Sequence, residues 1–427
     1  MSQRSQSTRS IPGPAVHAVF SAALWGAAFF GTTTLSCTSD ADPGPTVTRA
    51  DSAGVTIVQN SGPIPTDGGG WAVASEPSLS IGTLEGEEVY QFFGVAGAHR
   101  FSDGRIGVVN SSSREIRIYT AEGTFIRAFG QRGGGPEEFE QPALAGSVGD
   151  TLVVVDRAHH RLTFVHPDNG FVGLARVSDD VGGFLNPSGG FANGQVVFGG
   201  AFDMRKIGEL KNGMNRAGTY YRSSNLDGSL AADFGDKDGA EFFIKDLEGD
   251  GPDARPALIP FAKIPVATVS PDYLFFSAQD EYEIAAHDPS GRLVRLIRLN
   301  HELIPITAAD GETHIEQVVE QVGSPDQEAS IRAQLGPLPL PEFFPPHANL
   351  LADEMNYLWV EDFQRPGAEN RSWNVFDPEG ALVGRVTLPE RFDPTEIGSD
   401  HVLGLGWDEM NVEYVRMYAL TRGRGGS

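Results

Sequence analysis

Short runs of alternating apolar and polar residues recur along the chain, and pairs of runs flank an acidic or proline-containing turn that ends in glycine. In the clearest copy, residues 116–119 precede the turn 121–123 and residues 125–129 follow it. Alternation with a period of two predicts half-buried strands, and a short glycine-closed turn between two such runs predicts a β-hairpin. The turns of four further copies are residues 167–170, 226–228, 288–291 and 377–380. A sixth copy, residues 414–420, has no partner run after it.

These hairpins group into larger repeats of about four predicted strands. The third repeat is looser than the others because the polar stretch 203–218 interrupts it, and the sixth supplies only about three strands. Repeated four-strand meanders without intervening helices predict an all-β chain folded as a β-propeller. The six repeats are residues 97–130, 145–177, 191–222, 266–299, 349–388 and 397–420.

The N-terminal part of the chain holds two predicted strands without a turn partner, residues 54–60 and 77–82. A propeller must cover the strand edges between its first and last blades, and a strand from the opposite terminus often does so. Because the last repeat lacks an outer strand, we expect residues 54–427 to form a six-bladed propeller closed by these N-terminal strands.

One region departs from the strand pattern, an insertion after the fourth repeat that spans about residues 300–346. Apolar residues fall at helical spacing in residues 313–322, and residues 326–335 form a second short helical segment followed by Gly and Pro. The proline-rich return that follows cannot continue a helix. We therefore predict a short helical insertion after blade four.

Composition and charge narrow the classes of partner. The 52 Gly and 28 Pro suit many strands joined by tight turns. The 57 acidic and 32 basic residues give a net charge of -25, which disfavours nucleic acid and anionic lipid head groups as partners. Cationic or neutral ligands and Ca²⁺ stay open, as does the simpler interpretation that the charge only keeps the protein soluble and monomeric.

The N-terminus is typical of an export signal. A short basic region precedes the apolar stretch 15–30, which is short for a membrane span. The stretch 34–37 resembles a bacterial lipobox, with Thr34 where leucine is usual, and this resemblance implies that Cys37 is acylated. We predict a signal peptide over residues 1–36, a tether over 37–53, and an envelope lipoprotein that faces the periplasm or the surface. The alternatives are an incidental cysteine and a secreted protein.

The segment from Phe129 to Phe139, FGQRGGGPEEF, is similar to the linker between blades in NHL-repeat propellers. The opening 51–55 and the turn 102–106 also resemble a TolB-like group of exported bacterial six-bladed propellers. The resemblance implies the fold and leaves the activity open, because this architecture hosts binding modules, lactonases, lyases and scaffolds.

Polar residues follow the second strands of five repeats, where propeller enzymes carry their sites. Gluconolactonase-like propellers bind a divalent cation with a similar set of residues, because hard cations take several oxygen ligands. The alternative is that each residue only ends its strand by bonding backbone groups. The candidates for a channel or metal site are Asn110, Asp156, Gln279, Glu361, Asp362 and Asp408.

A second, weaker calcium candidate is an acidic loop that imitates the start of an EF-hand and carries Ala257 where the bidentate Glu is expected. The loop's acidic residues are Asp246, Glu248, Asp250 and Asp253.

Aromatic residues offer one further candidate surface. We expect Phe343, Phe344 and Trp359 either to line a pocket or to pack between blades.

No nucleophile motif or zinc-ligand cluster is visible in the sequence. The leading hypothesis is therefore an envelope-anchored propeller that binds a protein, peptide or glycan partner, and whose only membrane contact is its lipid anchor. The alternative is a cation-dependent hydrolase or lyase of the gluconolactonase-like or amidating-lyase-like type.

Overall fold

The regular structure is almost entirely β-strand. A computed structural model describes residues 46–63, 68–247, 255–322, 325–368 and 371–423. The strands are β1 (Thr46–Ser52), β2 (Val55–Ser61), β3 (Ala72–Val73), β4 (Leu79–Ile81), β5 (Val95–Arg100), β6 (Ile106–Asn110), β7 (Glu115–Tyr119), β8 (Phe125–Phe129), β9 (Pro142–Val148), β10 (Thr151–Asp156), β11 (Arg161–His166), β12 (Gly170–Arg176), β13 (Pro187–Gly190) and β14 (Val196–Phe202). They continue with β15 (Gly213–Ser224), β16 (Leu230–Ile244), β17 (Ala257–Leu258), β18 (Val266–Val269), β19 (Leu274–Ser277), β20 (Glu283–His287), β21 (Leu293–Leu299), β22 (Leu350–Ala352), β23 (Leu358–Glu361), β24 (Ser372–Phe376), β25 (Leu382–Thr387), β26 (Phe392–Ile397), β27 (His401–Trp407) and β28 (Glu413–Thr421).

Within the described ranges the strands form six small sheets of largely antiparallel, consecutive strands, which confirms the predicted all-β, propeller-like fold. Two sheets also contain N-terminal strands. β1 and β2 extend the sheet of β18–β21, and β3 and β4 pair with β28 in the sheet of β26–β28. The sheets are I (β5–β8), II (β9–β12), III (β13–β17), IV (β18–β21 with β2 and β1), V (β22–β25) and VI (β26–β28 with β3 and β4).

The predicted hairpin turns between third and fourth strands are present, and their glycines explain why the repeat is visible in the sequence. Gly123 has φ 86° and Gly380 has φ 87°, and the three other turn glycines also have positive φ. Residues with a Cβ adopt this region at a cost, so glycine is favoured there. The remaining turn glycines are Gly170, Gly228 and Gly291.

The hydrophobic core lies between neighbouring sheets. Each of six clusters of buried apolar side chains combines residues from two sheets that follow one another, and the cluster around Tyr119 and Leu403 joins sheet VI to sheet I. The first strand of each sheet also contacts the first strand of the next, and β26 contacts β5. Middle strands such as β10 are buried on both faces and read as continuous apolar runs, whereas the outer β8 is largely exposed.

The N-terminal strands behave differently from one another. As expected, β4 pairs with the last strand, since Ile81 lies opposite Val415. The prediction was wrong for residues 54–60, because β2 pairs in parallel with β21 of sheet IV instead. The outer edge of β21 was open, and β2 satisfies its backbone groups.

Two further predictions need correction. Residues 46–52 were expected in the tether but form β1, which pairs with β2 along its whole length. Residues 213–218 were expected to interrupt the third repeat but open β15, the partner of the long β16. In both cases backbone pairing with a neighbouring strand overrides a polar sequence with weak strand propensity.

The predicted helical insertion is confirmed. It consists of α1 (Ala308–Val322) and α2 (Pro325–Leu335), after β21 and before β22. Thr307 caps α1 together with Asp310, because the Asp310 carboxylate accepts hydrogen bonds from the Thr307 N–H at 2.8 Å and its hydroxyl at 2.6 Å. None of the helices in the described part of the chain is long and apolar enough to cross a membrane.

Candidate functional site

A groove opens where the helical insertion meets the segment between sheets III and IV and the loop after the second strand of sheet V. We call it the insertion groove. Its volume is about 580 Å³. It is lined by residues 258–262 and 264, by His314, Gln317 and Val318 of α1, by Leu335 of α2, and by residues 363–368.

The floor of the groove is aromatic. The ring of Phe261 packs edge-on against Phe344 at a centroid distance of 4.9 Å, and Phe344 packs against Phe363 at 5.4 Å. Phe344 is almost fully buried, and the guanidinium of Arg365 lies 5.5 Å from its ring centroid. Such contacts hold ring orientations fixed, so the floor is a rigid surface.

The rim of the groove exposes apolar side chains to solvent. Leu258 is 54% exposed and Ile264 is 43% exposed, and both sit in the segment between β16 and β18. Exposed apolar residues around a concave surface mark interaction sites more often than isolated ones do.

A few polar groups stand among these apolar walls. The side-chain nitrogen Nε2 of Gln364 is buried and has no hydrogen-bond partner within the described residues. Burial lowers the pKa of His314, so its imidazole is neutral at physiological pH. Arg365 is held by Asp310 of α1 at 3.4 Å. A buried donor in the groove wall is thus left without a partner, and a bound acceptor would satisfy it.

A buried polar network fixes the return segment beneath the groove. The Ser277 hydroxyl and Nε2 of His347 are 2.8 Å apart. Gln279 donates to the carbonyls of His347 at 2.9 Å and Ala348 at 2.8 Å. Burial lowers the pKa of His347 to about 4, so this imidazole is neutral and structural. These bonds tie the end of β19 to the chain that carries Phe344.

The loop that carries Phe363 begins with two carboxylates, each bound by its own partners. Glu361 accepts from Asn349 at 2.6 Å and from Arg371 at 2.5 Å. Asp362 accepts from Asn374 at 2.7 Å and pairs with Arg385, and burial raises the pKa of Asp362.

The other predicted site residues bond locally at the ends of their second strands. Asp156 is fully buried and accepts backbone N–H groups of residues 140 and 141, both at 3.1 Å, and the His159 ring at 2.7 Å. Asn110 bonds Ser113 at 2.9 Å, and the oxygen Oε1 of Gln279 accepts the N–H of residue 264. Asp408 accepts the N–H groups of residues 410 and 412.

These bonds connect the end of each second strand to the start of its own sheet or turn. Glu361 and Asp362 are consecutive in the chain, and each is bound by its own partners. Within the described ranges, no three His, Cys, Asp or Glu side chains are grouped as a metal ion would need. A cation site built from the six candidates stays a prediction, and a cation there would have to displace these hydrogen bonds.

Several predicted residues fall outside the part of the chain that the structure describes. Cys37 and the signal peptide lie there, as do three of the four acidic residues of the EF-hand-like loop, Glu248, Asp250 and Asp253. The fourth, Asp246, is exposed just after β16.

Comparisons with known proteins find distant similarity to solved structures. No family model matches it, and no curated protein matches it. Among solved structures, a protein from Bacteroides fragilis thought to be exported is 11% identical, with a TM-score of 0.44 over 87% of this chain and 100% of that one. Virginiamycin B lyase from Staphylococcus aureus is 12% identical, with a TM-score of 0.37 over 88% and 99%. Regucalcin from Agrobacterium tumefaciens is 12% identical, with a TM-score of 0.36 over 83% and 97%.

Sequence reasoning singled out Phe344 but missed Phe261, Phe363 and Gln364. The stretch 258–262, LIPFA, is apolar and contains proline, yet it belongs to no repeat and reads as a linker. The signal that could have found them is the apolar character of this linker, because an apolar segment must pack against another element. Here that element is α1, which comes about fifty residues later in the chain.

Proposed function

We propose that this protein is an exported, envelope-anchored six-bladed propeller that binds a partner protein through an apolar peptide segment seated in the insertion groove. Export and anchoring at Cys37 rest on the sequence alone. The fold and the groove are supported by separate observations.

Closure into a six-bladed ring is supported by the sheet contacts. Six sheets share six apolar clusters in sequence order, and the last cluster returns to sheet I. The pairing of β4 with β28 supplies an outer strand to sheet VI, which has only three strands of its own. A ring of this kind presents the loops after its second strands on one face, where the insertion groove lies.

Peptide binding is supported chiefly by one observation, the combination of an apolar groove with the unpartnered donor Nε2 of Gln364. An extended peptide brings apolar side chains and backbone carbonyls together, which suits this pairing. The net charge of -25 favours a neutral or basic segment.

The proposal is tested by selecting ligands for the full-length protein from a random peptide library and measuring their affinities by fluorescence polarisation. We expect apolar peptides that carry Lys or Arg. Replacing Leu258 with Asp should weaken them by about tenfold or more, because the variant loses the burial of one leucine side chain and desolvates a charge.

The matched control is Leu174→Asp. Leu174 is 47% exposed on the outer strand β12, away from the groove, and its replacement should leave peptide affinity unchanged. Selected peptides that bind the Leu258→Asp variant as tightly as the natural protein would contradict the assignment of the groove.

A further inference from the structure

A second pocket lies between sheets I, II and III and is positively charged, unlike the protein as a whole. We call it the arginine pocket, and its volume is about 580 Å³. It is lined by the turns after β6 and β10 and by the segments that precede β9 and β13, which contribute residues 111, 112, 114, 140, 141, 157, 160 and 183–186.

Two guanidinium groups of this pocket have unused hydrogen-bonding capacity. The side chain of Arg157 is exposed and makes no hydrogen bond or ion pair within the described residues. Arg114 donates to the carbonyl of Ser112 at 2.5 Å, while its buried Nε has no partner there. The open guanidinium of Arg157 is suited to a planar anion, and Arg114 adds positive charge beside it.

The one carboxylate of the pocket is already bound. Glu140 accepts two hydrogen bonds from Arg132, at 3.1 and 3.3 Å, and lies 3.5 Å from Arg114. The bond from Arg132 lowers the pKa of Glu140, and Arg114 lowers it further, so one carboxylate stands against two arginines of the pocket lining and Arg132 outside it. Arg114 and Arg157 therefore leave the pocket with a surplus of positive charge.

The remaining walls carry neutral groups that suit a hydroxylated ligand. Phe184 is 58% exposed and presents an aromatic face. The amides of Gln141 and Asn186 are exposed, and so is the hydroxyl group of Ser112. At Gly183 a Cβ would meet nothing within 4 Å, so there is open space beside the ring.

We propose that the arginine pocket binds a sugar that carries a carboxylate. Arg157 and Arg114 would hold the carboxylate, Phe184 would stack against the apolar face of the ring, and the amides would bond its hydroxyl groups. The arginine pocket shares no lining residue with the insertion groove and is independent of the function proposed there.

The test is isothermal titration calorimetry of the full-length protein with oligogalacturonate, with its neutral galactose counterpart, and with a short peptide that has a free C-terminal carboxylate. We expect saturable binding of oligogalacturonate and an affinity for the neutral sugar about tenfold lower or weaker, since hydrogen bonds to charged groups are among the strong ones.

Variants assign the binding to the pocket. Arg157→Gln and Phe184→Ala should each lower the oligogalacturonate affinity by about tenfold. The control Arg292→Gln, a change in an exposed arginine of the turn before β21, should leave the affinity unchanged, and so should Leu258→Asp. Equal affinity of the natural protein and Arg157→Gln would overturn the proposal, as would tighter binding of the peptide or of the neutral sugar, or no saturable binding of oligogalacturonate.

Discussion

One partly buried carboxylate, Glu396, joins the first and last sheets, and its surroundings give a prediction about acid stability. Glu396 at the end of β26 lies 2.5 Å from Nδ1 of His99 on β5 and 3.3 Å from Nε2 of His401. It also accepts the backbone N–H of Arg100 at 3.2 Å, and Asp400 holds the other nitrogen of His401.

The magnitude follows from the pKa of Glu396. Burial by itself would raise this pKa, but the hydrogen bonds from His401 and His99 outweigh it and lower the pKa from 4.5 to about 2. A shift of this size corresponds to about 3 kcal/mol of folding free energy. Because the folded pKa is depressed, this stability is present above about pH 4.5 and is lost as the pH falls towards 2.

We therefore expect Glu396→Gln to lower the free energy of unfolding by about 3 kcal/mol at neutral pH, with urea unfolding as the assay. The same variant should lose less stability than the natural protein between pH 4.5 and 2, since it has no carboxylate to protonate there. The control is Glu283→Gln, whose half-exposed ion pair with Arg298 contributes under about 1 kcal/mol.

The reasoning would be refuted by a Glu396→Gln variant that matches the natural protein in both its unfolding free energy and its acid sensitivity. His401 contributes the opposite pH dependence. Burial alone would lower the pKa of His401, but its bonds to Glu396 and Asp400 raise that pKa. Its contribution is complete below pH 6.5 and is lost as the pH rises through the raised value.

Two further predictions concern the N-terminal strands and the candidate cation residues. Asn60 is fully buried, donates to the carbonyls of Arg298 and Gly380, and accepts the N–H of Leu382. Asn60→Ala should therefore lower the free energy of unfolding, measured in urea, by about 2 to 4 kcal/mol. The control Asn193→Ala, in an exposed turn, should lower it by less than about 1 kcal/mol. An Asn60→Ala variant as stable as Asn193→Ala would contradict the role of Asn60 between sheets IV and V. Since the six candidate oxygen and amide groups are already hydrogen-bonded, Ca²⁺ and chelator should each move the melting temperature by less than about 1 °C. A saturable rise with Ca²⁺ would instead support the cation-dependent hydrolase or lyase.

The positions of the candidate polar residues could be predicted from the sequence, but their hydrogen-bond partners could not. Asp156 was correctly placed at the end of a second strand, because alternation and a following turn mark that position. Its bonds to residues 140 and 141 could not be read from the spacing, since they depend on how the linker before β9 folds back over the strand end.

The sequence by itself determined most of the strands and the hairpin turns between them. Both follow from local physics, because a period of two fixes which side chains share a face, and positive φ at residues such as Gly123 favours glycine. The helices of the insertion were also visible, since helical periodicity and a following Gly and Pro are local signals.

Only the tertiary structure decided which edge β2 would cover and which surfaces would become concave. Several outer strand edges could pair with one spare strand, and in the structure β2 pairs with β21 while Asn60 bonds the neighbouring sheet V. The insertion groove likewise joins Phe261, His314 and Phe363, which lie about fifty residues apart along the chain. Distances between such residues are fixed by how sheets pack side by side, and no local pattern carries that information.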